Sequence, residues 1–113
     1  MNIKEFSQLS RQIRDKYHQL EVQHHGSQWS TEEDALAFLT DAALVGRYIM
    51  SKEERWPHPA DQDLAYKIGE SVWWLAILAQ ASDLDFEACL QTFLDQRIQA
   101  LKLDISHNEA SEA

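Results

Sequence analysis

The segment from Tyr66 to Ala81 is the most apolar stretch of the chain, and one acidic residue, Glu70, interrupts it. If the segment is helical, Glu70 shares a face with Trp73 and Trp74, because residues three and four apart lie on one side of a helix. A carboxylate on a core face costs several kcal/mol unless it is paired or takes up a proton. Glu70 is therefore expected to have a partner, which can be a metal ion, a cationic side chain or a hydrogen-bond donor.

The composition predicts a single all-α domain. The 113 residues include only 3 Gly and 2 Pro, whereas Ala, Leu, Gln and Glu are plentiful, and such a composition favours long helices joined by few turns. Residues 1–103 are predicted to form this domain as a bundle of four main helices. The polar residues 104–113 are predicted to be a frayed tail.

Capping signals place the first two helices. Asn2 with Glu5, and Ser30 with Glu33, have the spacing of capping boxes. The first helix should end at the sequence HHGSQ, and the second should run to about Lys52. The charged remainder of the first helix is expected to be solvated. Its apolar stripe consists of Ile3, Phe6, Leu9, Ile13, Tyr17 and Leu20.

The segment ERWPHPAD contains both prolines and predicts a connection after the second helix. Asp61 or Asp63 can then cap a third helix that runs to about Ser82. Asp85 is the predicted N-cap of the fourth helix.

The charge and hydropathy disfavour several classes of partner. A formal net charge of -9, with no cluster of Lys and Arg, opposes binding to nucleic acids and to anionic membranes. The longest unbroken apolar run, residues 72–79, is far shorter than the roughly 20 residues of a membrane-spanning helix, and the sequence MNIKEF lacks signal-peptide features. We expect a soluble, cytoplasmic protein with no membrane and no nucleic-acid partner.

The third helix is apolar almost all round over residues 72–79, which is unusual for a surface helix of a small monomer. It is expected to lie centrally, covered either by the other three helices or by a second subunit. We expect a homodimer or higher homo-oligomer that associates through the second and third helices. Trp73 and Trp74 are the candidate interface anchors.

The second helix repeats the anomaly of the third, because Asp41 lies on the apolar stripe that contains Phe38, Val45 and Tyr48. In an antiparallel helix pair, Asp41 and Glu70 can converge on one divalent cation such as Mg²⁺. Either acid alone is more often a helix cap or an edge residue. Their joint appearance is what indicates a metal site.

Several of these features occur together in one known family. The order W-[ST]-x-E-E, an acid in the second helix, an acid directly before an apolar helix with paired aromatics, and A-x-x-x-D-L-D-F-E-A-C-L resembles the MazG-like family of all-α nucleoside triphosphate pyrophosphohydrolases. The resemblance covers about Trp29 to Arg97. It implies a dimeric or larger Mg²⁺-dependent enzyme that cleaves an α–β phosphoanhydride and releases pyrophosphate. Similar proteins hold Mg²⁺ with two acid pairs, E-x-x-[ED] and E-x-x-D, on the second and third helices.

This chain departs from both acid pairs. Leu44 follows Asp41 where a second acid would stand, and Lys67 precedes Glu70 where the first acid of the other pair would stand. An ammonium close to Mg²⁺ is strongly repelled even at an effective dielectric constant of about 20. One interpretation is that Lys67 replaces the ion among Asp41, Glu70 and Asp63. The other is that Asp63, Lys67 and Glu70 form an exposed charge ladder of little energetic weight.

Two main functions follow from these observations. The first is a MazG-like protein whose pyrophosphohydrolase site has decayed, without a cofactor, and which keeps a nucleotide-binding or interaction role. The second is an active Mg²⁺-dependent pyrophosphohydrolase in which Asp41 and Glu70 are helped by Glu33, Asp63 or an acid of a partner subunit. An unrelated helical adaptor is a further alternative. The acids of the first turn of the second helix, which include Asp34, are expected to favour the helix dipole.

Overall fold

The computed structural model describes residues 1–56 and 63–104 of the chain. They form four helices, α1 (Ile3–His25), α2 (Thr31–Lys52), α3 (Leu64–Ala81) and α4 (Phe86–Leu101), and these two ranges contain no strand. The predicted all-α class is confirmed, and a four-helix bundle is consistent with this arrangement. The predicted tail from residue 105 onward, both prolines and the alternative cap Asp61 lie outside the described residues.

Side-chain caps begin α1 and α2 where the sequence predicts them. Ser30 and Glu33 form the full capping box, with the Ser30 hydroxyl accepting the Glu33 backbone N–H and the Glu33 carboxylate accepting the Ser30 N–H. Asn2 also caps its helix by accepting the Glu5 N–H at 2.8 Å. The Glu5 carboxylate, however, accepts its hydrogen bond from the Asn2 side-chain amide. The first cap is therefore a side-chain variant of the predicted box.

The other helix boundaries also have local causes. Asp63 caps α3 by accepting the Tyr66 N–H at 3.0 Å, and Asp85 caps α4 by accepting the Ala88 N–H at 2.9 Å. Gly26 ends α1 with φ +80°, a left-handed conformation that glycine adopts without a Cβ clash. The short connection after it brings the chain back toward α1 before α2 begins.

α3 is the central helix of the fold, since it contacts α1, α2 and α4. α2 packs along α3 most extensively, and α1 also contacts α4. Within the described part of the chain, the backbone of α2 approaches no helix other than α3. The buried hydrophobic residues of this core are Tyr48, Trp74, Ala76, Ile77 and Phe86.

α1 buries two polar residues and exposes most of its apolar stripe. Ser10 and Arg14 are the buried residues of this helix, whereas Leu9 and Ile13 are 51% and 47% exposed. The expectation that the charged remainder of α1 is solvated is therefore wrong at Arg14. The reason is that carboxylates of α1 and α2 meet the guanidinium inside the fold, as described below.

Among residues 1–56 and 63–104, no helix is both long enough and apolar enough to pass through a bilayer.

Candidate functional site

The candidate site is the place where α2 and α3 bring acids and a lysine together. The Lys67 ammonium donates hydrogen bonds to Asp41 Oδ1 at 2.9 Å and to Glu70 Oε1 at 2.7 Å. Lys67 and Glu70 are three residues apart and share one face of α3, and Asp41 lies on the face of α2 that packs against α3. The predicted bridge from Lys67 to Asp41 and Glu70 is confirmed. We call these three residues the lysine bridge.

The alternative of an exposed ladder does not describe this site. The three side chains of the lysine bridge are only 15–26% exposed. The Asp63 carboxylate accepts the Tyr66 N–H as the cap of α3, and no salt bridge of the described residues joins it to Lys67. Asp63 is therefore not part of the bridge, contrary to the wider grouping that included it.

Trp74 completes the surroundings of Asp41. Its indole N–H donates to Asp41 Oδ2 at 2.8 Å, so each oxygen of this carboxylate accepts a hydrogen bond from α3. Trp74 is buried within the chain, whereas Trp73 is half-buried. The role of both as interface anchors stays a prediction, and Trp74 has little area left for a partner.

The carboxylates of the lysine bridge hold Lys67 in its charged form. Hydrogen bonds to Glu70 and then to Asp41 raise the pKa of Lys67 above its ordinary value, and this outweighs the opposing effect of burial. The ammonium therefore keeps its charge at and above neutral pH. Two carboxylates share this one cation, which leaves the group with a net charge of about −1 when both acids are ionised.

The side chains of the lysine bridge do not fit a Mg²⁺ site. Both oxygens of Asp41 and one oxygen of Glu70 already accept hydrogen bonds, and a bound Mg²⁺ would face the Lys67 ammonium. Leu44 is half-buried one turn after Asp41 and brings no oxygen. Across residues 1–56 and 63–104, no group of three or more His, Cys, Asp or Glu is placed to hold a metal ion.

The proposed auxiliary acids serve as helix caps. The Glu33 carboxylate accepts the backbone N–H of Ser30, the N-cap of α2, whereas Asp63 is itself the N-cap of α3 and accepts the Tyr66 N–H. Neither forms a hydrogen bond or salt bridge with the lysine bridge in the described ranges.

A second ionic group lies next to the first and was not predicted. The Arg14 guanidinium donates to both oxygens of Asp34, at 2.7 and 3.4 Å, and to both oxygens of Glu21, at 2.7 and 3.3 Å. Arg14 and Asp34 are each 4% exposed. We call Arg14, Glu21 and Asp34 the arginine clamp. The sequence indicates only the Arg14–Glu21 half of the clamp, because these two residues are seven apart and therefore share a face of α1.

The arginine clamp also holds the connection between α1 and α2. Glu21 Oε1 accepts the Trp29 backbone N–H at 2.8 Å and lies 3.1 Å from His18 Nδ1. Burial opposes the charged form of Glu21, but hydrogen bonds from Arg14 and Trp29 outweigh it and lower the pKa of this carboxyl. Burial likewise opposes the charge of Arg14, yet its bonds to Glu21 and Asp34 raise its pKa.

Trp74 connects the two groups. The Arg14 guanidinium carbon lies 5.6 Å from the centroid of the Trp74 ring, within the range of a cation–π contact, and the N–H of the same ring binds Asp41. Together the two groups contain two cations and four carboxylates, which are Arg14, Lys67, Glu21, Asp34, Asp41 and Glu70. With all six ionised, this region has a net charge of −2.

Replacing Lys67 with Met is expected to lower the free energy of unfolding by about 1–3 kcal/mol, because Asp41 and Glu70 lose two charge-assisted hydrogen bonds. Urea unfolding followed by circular dichroism at pH 7 measures the change. Lys4→Met is the matched control, since Lys4 is exposed on α1, and its effect should stay within about 0.5 kcal/mol. Equal effects of the two variants would show that the lysine bridge adds no stability.

No protein-family model, curated protein or solved structure matches the chain. The resemblance to MazG-like proteins therefore rests on the sequence pattern alone.

Proposed function

We propose that this chain is a MazG-like helical protein that works without a metal ion, as a binding and assembly protein and not as a pyrophosphohydrolase. The lysine bridge carries this proposal. Lys67 supplies, from within the chain, the positive charge that Mg²⁺ would bring to Asp41 and Glu70.

The chemistry of phosphoanhydride cleavage supports the same conclusion. The reaction requires a group that neutralises charge developing on the phosphates and a means of positioning the attacking water. In this site the Lys67 ammonium is bonded to two carboxylates, and the surrounding net negative charge repels a polyphosphate. A nucleotide, if it binds, must therefore do so without the metal-bridged phosphates of an active enzyme.

Calorimetric titration with Mg²⁺ and Mn²⁺ tests the proposal directly. We expect no binding heat, and no pyrophosphate release from a panel of canonical and modified nucleoside triphosphates. Metal binding accompanied by turnover would contradict the proposal and would favour the alternative, an active pyrophosphohydrolase with an atypical site.

The double substitution Leu44→Glu with Lys67→Glu is expected to create Mg²⁺ binding. Each change places an acid three residues from an existing one, on the same helix face, so two chelating pairs result. The control is Lys4→Glu with Leu101→Glu, which changes the charge equally at exposed positions on α1 and α4. If calorimetry shows no Mg²⁺ binding to the first variant beyond that of the control, the interpretation of the bridge as a replaced metal site is wrong.

The proposed assembly is a homodimer that forms through the outer face of α2. The apolar or small residues Leu36, Leu39, Ala43, Gly46 and Met50 recur at alternating intervals of three and four, and all are exposed. This spacing is that of a helix-pairing seam. It lies on the side of α2 opposite to Asp41, which faces α3.

The extent of uncovered apolar surface supports a second copy as the partner. The radius of gyration is 17.5 Å, whereas a compact domain of this length has about 13 Å. α3 also leaves Ile68, Val72 and Leu75 between 40% and 47% exposed. A two-fold pairing of identical α2 seams would cover Leu36 and Leu39 on both chains at once. The three α3 residues lie on the face of that helix turned away from α2, so this pairing would leave them uncovered.

A further inference from the structure

A cleft of about 400 Å³ lies between the second half of α1, the middle of α3 and the connection that leads into α2. Four aromatic side chains and two acids line it together with one arginine, two histidines and a leucine, namely Tyr17, Trp29, Trp73, Trp74, Glu21, Glu70, Arg14, His24, His25 and Leu20. None of the described residues of α2 lines it, so it is separate from the outer seam of that helix. We call it the aromatic cleft.

The rings of the aromatic cleft form walls and not a stack. Tyr17 and Trp73 have centroids 6.0 Å apart and planes at 67°, and Trp73 and Trp74 have centroids 4.7 Å apart and planes at 61°. A flat ligand ring that is held between two aromatic side chains needs parallel faces above and below it. Rings that meet at steep angles present faces in several directions, which suits a compact, rounded group such as a methylated ammonium.

The charge of the cleft selects the sign of the ligand. Glu21 and Glu70 line it together with Arg14, and each acid belongs to an ionic group in which carboxylates outnumber cations. The region therefore attracts cations and repels phosphates and carboxylates. Arg14 already lies over the Trp74 ring, which shows that this aromatic surface accommodates a positive charge.

Exposure leaves the walls accessible to a ligand. Tyr17 is 48% exposed and Trp29 is 36% exposed. Glu70 uses Oε1 for Lys67 and lines the cleft with a side chain that is 26% exposed. Tyr17 and Trp73 can thus contact an ammonium group while Glu70 balances its charge.

We propose that the aromatic cleft binds a small organic cation that carries a quaternary ammonium group. The aromatic faces of Tyr17 and Trp73 contact the methyl groups, and the Glu70 carboxylate supplies the opposite charge. The site does not depend on the absence of hydrolytic activity, so it stands or falls separately from the proposed function.

Titration of the full chain with choline, followed by tryptophan fluorescence and by calorimetry, tests this site. The matched probe is 3,3-dimethyl-1-butanol, which has the same shape but no charge. We expect saturable binding of choline and an affinity at least about tenfold weaker for the alcohol, since a cation–π site discriminates by charge. Equal affinities, or no saturation with choline below about 10 mM, would overturn the proposal.

Two variants locate the binding. Tyr17→Leu and Glu70→Gln should each weaken choline binding by at least about fivefold, because one removes an aromatic wall and the other a charge. The controls are Phe93→Leu and Glu87→Gln, which remove an aromatic ring and a carboxylate charge at exposed positions on α4 and should leave the affinity unchanged. Far-UV circular dichroism verifies that all four variants are folded. Unchanged affinity in both cleft variants would place binding elsewhere and overturn the proposal.

Discussion

Replacing Arg14 with Ala is expected to lower the free energy of unfolding by about 3–5 kcal/mol. The guanidinium is 4% exposed and is the hydrogen-bonding partner of Asp34 and Glu21 inside the fold. Removing it leaves two desolvated carboxylates without their cation, and an unpaired buried charge costs more than a lost surface salt bridge. The contact between Arg14 and the Trp74 ring is lost as well.

Urea unfolding followed by circular dichroism at pH 7 measures this effect. Arg11→Ala is the control, because Arg11 is exposed one turn earlier on α1 and its loss should change the unfolding free energy by less than about 0.5 kcal/mol. Arg14→Lys should recover only part of the stability, since an ammonium cannot reproduce the paired bonds to both carboxylates. A loss below about 1 kcal/mol in Arg14→Ala would contradict a stabilising role for the arginine clamp.

The same substitution should change the pH dependence of stability. The pKa of Glu21 is lowered in the folded chain from its ordinary value of 4.5. A group with a lowered folded-state pKa contributes stability above its unfolded-state pKa and loses that contribution as the pH falls through the folded value. The stability difference between the native chain and Arg14→Ala should therefore be full at neutral pH and should shrink below about pH 4.5.

Local features of this fold are readable from the sequence, because their causes lie within one helical turn. Ser30 with Glu33, and Asp85, begin helices where the capping pattern places them. The sequence also predicts the lysine bridge as one of two arrangements, since Lys67 and Glu70 are three residues apart and Asp41 lies on the apolar stripe of α2. The packing of α2 on α3 decides between this bridge and an exposed ladder, because it brings Asp41 to Lys67.

The pairing of Arg14 with Asp34 in the arginine clamp could not be predicted from the sequence. Apolar periodicity directs attention to the stripe of α1 that contains Ile13 and Tyr17, yet that stripe is largely exposed in the single chain. The face that α1 buries is defined by Arg14, whose partner Asp34 is 20 residues away. Its burial depends on a carboxylate delivered by another helix, which no single-helix pattern encodes.

An apolar pattern that predicts burial does not say which chain covers the apolar face. On α2 the face toward α3 carries Asp41 and Tyr48, whereas the opposite face carries Leu36 and Leu39, which are 63% and 60% exposed. A helix with two opposed apolar faces is suited to lie between two packing partners. Within residues 1–56 and 63–104, α3 is the one helix against which the α2 backbone packs.

Replacing Leu39 with Glu is expected to convert the proposed homodimer into a monomer. Two-fold pairing would bury the new carboxylate of each chain in an apolar seam, and desolvation opposes this. We expect the dimer dissociation constant to rise by at least about 100-fold, as for the loss of a central interface residue. Sedimentation equilibrium over a range of concentrations measures it.

Phe93→Glu provides the matched control for this experiment. Phe93 is 64% exposed on α4, so its substitution adds the same charge at an apolar position of similar exposure away from the α2 seam. The control should remain dimeric. The thermal unfolding midpoints of the native chain and of the control should rise with protein concentration, because both dimerise. The midpoint of Leu39→Glu should not depend on concentration. A native chain that stays monomeric at about 100 μM, or a dimer that survives Leu39→Glu but not Phe93→Glu, would show that α2 is not the interface.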